Sequence, residues 1–326
     1  MDPASFDYQF GTLLDASIVL GADMALVQGA GGNFSLKFDN ELWIKASGTR
    51  LSQARETQIY LPLDIAQLSA LALVTEDVAE SRVYHVPTSH LRPSIETALH
   101  VLIPHRFVFH VHSVSAIAAG LTDDGIAAFM SVPGAFQKVD VPYAKPGINL
   151  ARAVSSALNG QFDASTPLVL LLRNHGIVVG ADSAEEASAL VELVESTLRR
   201  KDPAPLSERP ANDASSYYSL YPAKTLSRES ARALAGGALT PDSAVFLGDH
   251  PFALSSEHAE RSPGRVESDG SVSVIETIGS DELEILMSLV EVGRQVTTES
   301  IRRLSPENVS ELVDWEAEKW RQGMKR

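Results

Sequence analysis

The first third of the chain alternates between a helical spacing and a strand spacing of apolar residues. Residues 5–20 carry apolar side chains at helical intervals, which predicts a first helix that ends near Gly21. The alternating segments NFSLKF and ELWIKAS come next, with Asp39-Asn40 between them, and predict a β-hairpin. The chain therefore begins as a mixture of helix and sheet.

The middle of the chain predicts buried strands and a helix that packs beside them. Ser94 is a good N-cap before IETALHVLI, so we expect a helix that starts at Ser94 and is ended by Pro104. The alternating FVFHVH predicts a strand. The segment PLVLLLRNHGIVVG predicts a strand with both faces buried, interrupted by a turn at Asn174-His175-Gly176.

The last third of the chain has a weaker pattern. Asp269-Gly270 is typical of a hairpin, and the apolar spacing predicts one long helix from Ser280 to about Leu304 and a second over 306–322. A Pro-, Ser- and Asp-rich stretch before these elements predicts a linker. We therefore expect a catalytic domain over 1–201, a linker over 202–216, and a mainly helical C-terminal extension with a hairpin and two helices over 217–326.

Composition narrows the function classes. The chain has 326 residues, 44% of them hydrophobic and 21% charged, so it can bury a large core. Its formal net charge of -15 repels phosphate backbones and anionic lipid, so we expect neither nucleic-acid nor membrane binding. Cysteine is absent, which excludes disulfides and thiolate metal sites. The start MDPASFDYQF lacks the regions of a signal peptide, and we expect a soluble cytoplasmic protein.

His110 and His112 are the sharpest chemical feature of the sequence. Side chains at i and i+2 of a strand face the same way, so both imidazoles can bind one metal ion. Two plain structural histidines are the alternative, but the strand is buried and unpaired buried imidazoles are costly. His175 ends another buried strand and Glu96 lies just upstream. Three histidines with an open coordination position are typical of catalytic zinc.

The segment GAGGNFS, residues 29–35, offers free backbone N–H groups, the amide of Asn33 and the hydroxyl of Ser35. The turn that contains Ser47 and Gly48 and the hydroxyl of Ser94 are further donors. These three donor-rich turns are consistent with one phosphate pocket and equally with three ordinary turns. Periodicity does not decide between the two.

Six motifs stand in the order seen in the class II aldolase/adducin family, and the chain resembles that family over roughly residues 8–200. They are GAGGNFSLK, KASGT, RPSIETALH, HVH, VPYAKPG and NHGIVVG. The resemblance is closest to the aldolase part of the rhamnulose-phosphate-aldolase-like members that are fused to a short-chain dehydrogenase. The segment SLYPAKTLSRES resembles the region directly after the aldolase part in those fusions. The dehydrogenase activity is not implied.

The resemblance implies a three-layer α/β/α fold with a largely antiparallel central sheet, often assembled as a homotetramer. It implies that His110, His112 and His175 bind zinc and that Glu96 moves a proton. One family serine is replaced by Ile95, so one phosphate donor is missing. The phosphate positions that match are Asn33, Ser47, Gly48 and Ser94.

The reaction that the resemblance implies is the metal-dependent aldol cleavage of a sugar phosphate or related hydroxy-ketone through a zinc-stabilised enediolate. A decarboxylase or epimerase of a phosphorylated sugar acid uses the same intermediate and stays open, as does a dehydratase. A non-catalytic adducin-like binding module is the third alternative. Retention of the three histidines and Glu96 argues against that module.

Overall fold

The computed structural model describes most of the chain. The described residues are 2–71, 91–160, 162–205, 217–255, 262–298 and 300–315. The helices are α1 (Phe6–Gly21), α2 (Ile65–Leu71), α3 (Thr97–Leu102), α4 (Val114–Gly120), α5 (Asp123–Met130), α6 (Ile148–Leu158), α7 (Ala184–Leu198), α8 (Arg228–Ala235), α9 (Pro241–Leu247), α10 (Ser280–Gln295) and α11 (Pro306–Val313). The strands are β1 (Asn33–Phe38), β2 (Glu41–Lys45), β3 (Tyr60–Asp64), β4 (Phe107–Val111), β5 (Gln137–Val141), β6 (Leu168–Leu172), β7 (Gly176–Ala181), β8 (Tyr217–Tyr221), β9 (Phe252–Leu254), β10 (Gly264–Val266) and β11 (Val272–Ile275).

The main sheet has seven strands in the order β3-β2-β1-β4-β7-β6-β5. All neighbouring pairs are antiparallel except β5 and β6, which are parallel. The predicted hairpin is present, and Asp39 adopts a positive φ of 51° in its turn. This arrangement confirms the predicted sheet with its largely antiparallel order.

Helices cover both faces of the main sheet, because apolar side chains along its strands point to both faces. On one face, Phe107 and Phe109 of β4 pack in a cluster with residues of α1, α5 and α7. On the other face, Val108 packs with residues of α3 and α6. Burial of these apolar surfaces stabilises the layers by roughly 25 cal/mol per Å². The predicted three-layer α/β/α fold is confirmed.

The C-terminal part carries a second sheet beside its helices. Its four strands run in the order β8-β11-β10-β9, and the hairpin predicted at Asp269-Gly270 joins β10 to β11. Ile117 and Leu121, in and just after α4, share an apolar cluster with Phe252 and Leu289 of this part. The C-terminal part carries helices as predicted, and it has two further helices, α8 and α9, and two strands, β8 and β9, that the sequence pattern did not show. The missed elements have three to eight residues, too few to show a period.

The long helix predicted from Ser280 to about Leu304 ends instead at Gln295. After it, the backbone N–H of Arg302 donates to Leu121 O at 2.9 Å, and that of Leu304 donates to Ala238 O at 3.1 Å. Leu304 is buried. Leu304 therefore continues the apolar spacing of the helix in the sequence. Its backbone, however, hydrogen-bonds to another segment and is not part of the helix.

The helix predicted from Ser94 begins instead at Thr97, with Glu96 at the N-cap. Pro93 forms an isolated bridge with Ala46, and the N–H of Ser94 donates to Lys45 O at 3.1 Å. These bonds keep the segment extended beside β2. Ser94 Oγ accepts from the N–H of Glu96 at 3.2 Å, so Ser94 shapes the entry to the helix.

Residues 206–216 of the predicted linker and 316–322 of the second predicted helix lie outside the described residues. Ala204, in the described part of the linker, donates its N–H to Glu291 Oε1 of α10 at 3.1 Å. The division into domains stays a prediction. In the described ranges, no helix has the length and apolar character that crossing a membrane requires.

Candidate metal centre

Strand pairing brings the three histidines together. Strands β4 and β7 are antiparallel, with His110 opposite Val178. The turn between β6 and β7 holds His175, whose N–H donates to Leu172 O at 3.0 Å. Gly176 has a φ of +146°, and a Cβ there would lie 2.2 Å from Val111 O. Glycine is therefore required for this turn to lie against the strand that carries His110.

The three imidazoles converge in the buried interior. Ring centroids lie 5.0 Å apart for His110 and His112, 4.8 Å for His110 and His175, and 5.2 Å for His112 and His175. One ring nitrogen from each lies within 4.8 Å of the other two. Zinc–nitrogen bonds are about 2.0–2.1 Å long, so a bound ion would draw the nitrogens closer.

The glycine-rich segment packs directly against these histidines. A Cβ on Gly31 would lie 2.9 Å from His112 Nδ1. A Cβ on Gly32, which has a φ of +61°, would lie 2.7 Å from His110 O. Close approach to the histidines thus requires small residues here. The anion-nest interpretation of the same glycines stays a prediction.

Glu96 lies between two of the imidazoles. Its Oε2 is 3.4 Å from His110 Nε2, and its Oε1 is 3.7 Å from His175 Nε2. Burial acts to raise the pKa of Glu96, but the imidazoles of His110 and His175 and the amide of Asn33 outweigh burial and lower this pKa to about 2. The carboxylate is therefore ionised at neutral pH.

Burial favours the neutral form of two of the imidazoles, His175 and His110. It lowers the pKa of His175 to about 3, against the opposing charge of Glu96. Burial also lowers the pKa of His110, again opposed by Glu96. A neutral imidazole is the form that binds a metal ion.

A cavity with about 430 Å³ of empty space opens beside the histidines. Among the residues predicted for the substrate phosphate, Asn33, Ser47, Gly48 and Ser94 line it. Ser35 does not belong to that wall among the described residues, because its fully buried hydroxyl bonds to His100 Nδ1 at 2.7 Å. The prediction of Ser35 as a phosphate donor is corrected on this point.

The profile of the class II aldolase and adducin N-terminal domain matches residues 12–200, more than half of the chain. The chain belongs to the class II aldolase and adducin family. This family domain contains the seven-stranded sheet, the three histidines and Glu96.

Two curated relatives and one solved structure show how far the similarity extends. The chain is 29% identical to an L-fuculose phosphate aldolase of Methanococcus vannielii over 53% of this chain and 84% of that protein. It is 27% identical to the uncharacterized oxidoreductase YuxG of Bacillus subtilis over 53% of this chain, but spans only 26% of that relative. The N-terminal class II aldolase domain of a conserved Thermoplasma acidophilum protein superposes with a TM-score of 0.51 at 26% identity, covering 60% of this chain and 93% of that one.

A buried chain of hydrogen bonds orients Glu96 in this class II aldolase domain. Asn33 Nδ2 donates to Glu96 Oε2 at 2.7 Å. Asn33 Oδ1 therefore faces His100 Nε2 at 2.5 Å and accepts a hydrogen bond from the N–H group of that ring. His100 Nδ1 must then accept from the Ser35 hydroxyl. His100 therefore has a structural role, and through Asn33 it also holds the Glu96 carboxylate in its position.

Two cavity-lining residues escaped the sequence reasoning. Lys45, at the end of β2, is buried, and its Nζ donates to Ala30 O at 3.0 Å. The available signal was that Lys45 is the first residue of the KASGT motif and ends an alternating strand pattern. Asp242, at the start of α9, has an Oδ2 that lies 3.1 Å from His112 Nδ1. Nothing in the local pattern around Asp242 connects it with a histidine 130 positions earlier.

The donor set fits a divalent cation. Glu96 Oε1, His110 Nε2 and His175 Nδ1 are buried and have no hydrogen-bond partner among the described residues. Unsatisfied buried polar atoms are costly, and the Glu96 carboxylate and His110 Nε2 face each other at 3.4 Å, which indicates a missing partner between them. Three imidazoles suit a divalent transition-metal ion. His110, His112 and His175 are therefore the residues that would hold the ion.

Proposed function

We propose that this class II aldolase family member is a metal-dependent aldolase that reversibly cleaves a sugar phosphate or a related hydroxy-ketone. The observation that carries the proposal is the grouping of three buried imidazoles with an ionised Glu96, beside a cavity that Glu96, His112 and His175 line. An ionised carboxylate beside a cation site suits chemistry that passes through an enolate. The name of the Methanococcus vannielii relative supports the same reaction class.

We propose zinc as the cation held by His110, His112 and His175. When bound, it supplies Lewis-acid chemistry, which stabilises the negative charge that develops on the substrate oxygens by several kcal/mol. The chain's own contribution is to hold the imidazoles in a fixed orientation. His110 does this through its Nδ1, which lies 2.9 Å from Ile177 O.

Glu96 moves the proton in this proposal. Cleavage breaks the bond between the carbon next to the ketone and the carbinol carbon, whose hydroxyl loses its proton as the aldehyde forms. The electron pair remains on the ketone fragment as an enediolate, and a proton delivered to its carbon completes the product. Glu96, ionised and fixed by Asn33, is placed to accept and return that proton.

One wall of the cavity carries groups that can bind an anionic group of the substrate. Lys45 supplies a positive charge, and Ser47, Gly48 and Ser94 supply hydroxyl and backbone donors along the same cavity. A phosphate accepts several such hydrogen bonds, and charge-assisted bonds are roughly twice as strong as neutral ones. We therefore propose a phosphorylated substrate. The replacement of one family serine by Ile95 leaves the hydroxyls fewer and makes Lys45 more important.

A decarboxylase or epimerase of a phosphorylated sugar acid is the second candidate, since it needs the same cation, the same base and the same enediolate. An adducin-like binding module is disfavoured because such a module has no use for a buried ionised Glu96 among three imidazoles. We further propose a homo-oligomer in the cytoplasm, as the family resemblance implies.

The test is a substrate screen with zinc-loaded protein. L-fuculose 1-phosphate, L-rhamnulose 1-phosphate, the unphosphorylated ketoses and phosphorylated sugar acids are each supplied, and aldehyde, dihydroxyacetone phosphate and carbon dioxide are measured. We expect dihydroxyacetone phosphate and aldehyde in equal amounts, formed about 10²–10⁴-fold more slowly by the Glu96→Gln variant. Carbon dioxide alone would replace the aldolase by a decarboxylase, and no product from any substrate would overturn the proposal.

A further inference from the structure

Asp242 enters the cavity from outside the family domain. It follows Pro241 at the start of α9, some 40 positions beyond the matched range that ends at residue 200. The N-terminus of α9 is stabilised by a reciprocal capping box between Thr240 and Ser243. Asn174, which precedes His175, donates its side-chain amide to Leu239 O at 2.9 Å. A hydrogen bond thus connects the C-terminal part to the turn that carries His175.

The Asp242 carboxylate lies beside Nδ1 of the His112 ring. Its Oδ2 lies 3.1 Å from His112 Nδ1, and both residues are buried. His110 shows the same arrangement, with its Nδ1 2.9 Å from Ile177 O. The Nε2 of His110 lies 3.4 Å from Glu96. Each of these two rings therefore presents its Nδ1 to an oxygen and leaves Nε2 for another partner.

We propose that Asp242 is a positioning residue for the metal centre, which makes the C-terminal part a component of the site. The carboxylate accepts the Nδ1 proton of His112, fixes this tautomer and keeps Nε2 available to bind the ion. A histidine ligand held in this way by a carboxylate is more basic and better oriented than a free one. The inference rests on the proposed function only for the presence of the ion.

A purely structural role for Asp242 predicts something different. An acidic residue in the first turn of a helix interacts favourably with the helix dipole. If that were its whole role, removing the charge would change thermal stability and leave metal affinity and the His112 ring unchanged. The experiment therefore reads the metal and the ring directly.

The variant is Asp242→Asn, which keeps the shape of the side chain, and the matched control is Asp249→Asn, an exposed carboxylate in the same part of the chain. Zinc affinity of the full chain is measured by competition with a chromophoric chelator. We expect Asp242→Asn to bind zinc about 10–100-fold more weakly. The control should bind as the wild type does. Equal zinc affinity in Asp242→Asn and wild type would overturn the inference and leave the proposed function standing.

Long-range proton–nitrogen spectra of the histidine rings in the metal-free chain supply the second readout. We expect the wild type to show His112 protonated on Nδ1 with a hydrogen-bonded proton, and Asp242→Asn to lose that signal. Identical His112 ring spectra in the two proteins would overturn the inference whether or not the chain binds zinc. If the wild type binds no zinc but shows the predicted ring signal, the proposed function is contradicted. The hydrogen bond between Asp242 and His112 is then still supported.

Discussion

Asn33 donates a 2.7 Å hydrogen bond from Nδ2 to Glu96 Oε2, and its Oδ1 lies 2.5 Å from His100 Nε2. One amide therefore connects the catalytic candidate to a buried histidine, and it cannot rotate without losing both bonds. β1 and β4 pair with Asn33 opposite His110, so the same residue also sits beside the metal-binding strand. The position of the Glu96 carboxylate is set by the sheet register.

Glu96→Gln should keep the metal and lose turnover. The glutamine oxygen can still accept from Asn33, but an amide cannot accept the reaction proton, so we expect a fall in kcat of about 10²–10⁴-fold. Steady-state kinetics and zinc content of the same preparation measure the two effects. Unchanged kcat in fully zinc-loaded Glu96→Gln would remove this carboxylate from the mechanism.

His100 should make the fold sensitive to acid. Burial, with a further contribution from the charge of Lys37, lowers the pKa of His100 to about 3 in the folded chain, whereas the unfolded value is near 6.5. Between these values the unfolded chain binds the extra proton, so the free energy of unfolding falls as the pH drops from about 6.5 toward 3. The slope from this group is up to about 1.4 kcal/mol per pH unit.

Chemical denaturation of wild type and His100→Asn at pH 7 and pH 5 isolates that contribution, since His110 and His175 act in the same direction in both proteins. We expect the variant to lose less stability between the two pH values. Parallel losses in the two proteins would show that His100 titrates normally in the fold.

Glu284 should stabilise the start of the glycine-rich segment, residues 29–35. Its Oε2 accepts from the N–H of Gly29 at 2.6 Å, and its Oε1 accepts from Arg50 Nη1 at 3.0 Å. Arg50 also contacts Asp281. Glu284→Gln should therefore lower the free energy of unfolding by about 1 kcal/mol, because the groups are only partly buried. The exposed Glu192→Gln on α7 is the control, and equal melting temperatures for the two variants would contradict the prediction.

Lys45 should discriminate phosphorylated from unphosphorylated substrates. Lys45→Met keeps the length of the side chain but removes the charge from the cavity wall. A lost charge-assisted bond is worth about 1.5–3 kcal/mol, so we expect KM for the phosphorylated substrate to rise at least about tenfold. KM for the matching unphosphorylated ketose should change much less. A similar change for both substrates would place the anionic group elsewhere.

Much of the fold was predictable because its signals are local. The hairpin turn at Asp39-Asn40 and the buried strands around His110 follow from residue order and spacing alone. The family domain was recognisable from six ordered motifs, and its profile match confirms that resemblance. Four short elements after residue 216, β8, β9, α8 and α9, were missed because their packing, rather than any period, determines them.

The candidate site was predictable in part for the same reason. The histidine pair is a local pattern, and His175 follows a visible buried strand. Ser35 was misplaced because its orientation depends on pairing with β4 and on His100, which lies 65 positions away. Asp242 was missed because only tertiary packing brings α9 to His112. Long-range contacts of this kind leave no trace in the spacing of one sequence.

Zinc K-edge X-ray absorption of the full chain loaded with one equivalent of zinc tests the central claim most directly. We expect three imidazole nitrogens at about 2.0–2.1 Å and one or two oxygen ligands. His175→Ala should reduce the imidazole count to two, since His175 is the ligand contributed by the β6–β7 turn. A zinc shell with fewer than three imidazoles in the wild type, or an unchanged shell in His175→Ala, would contradict the account.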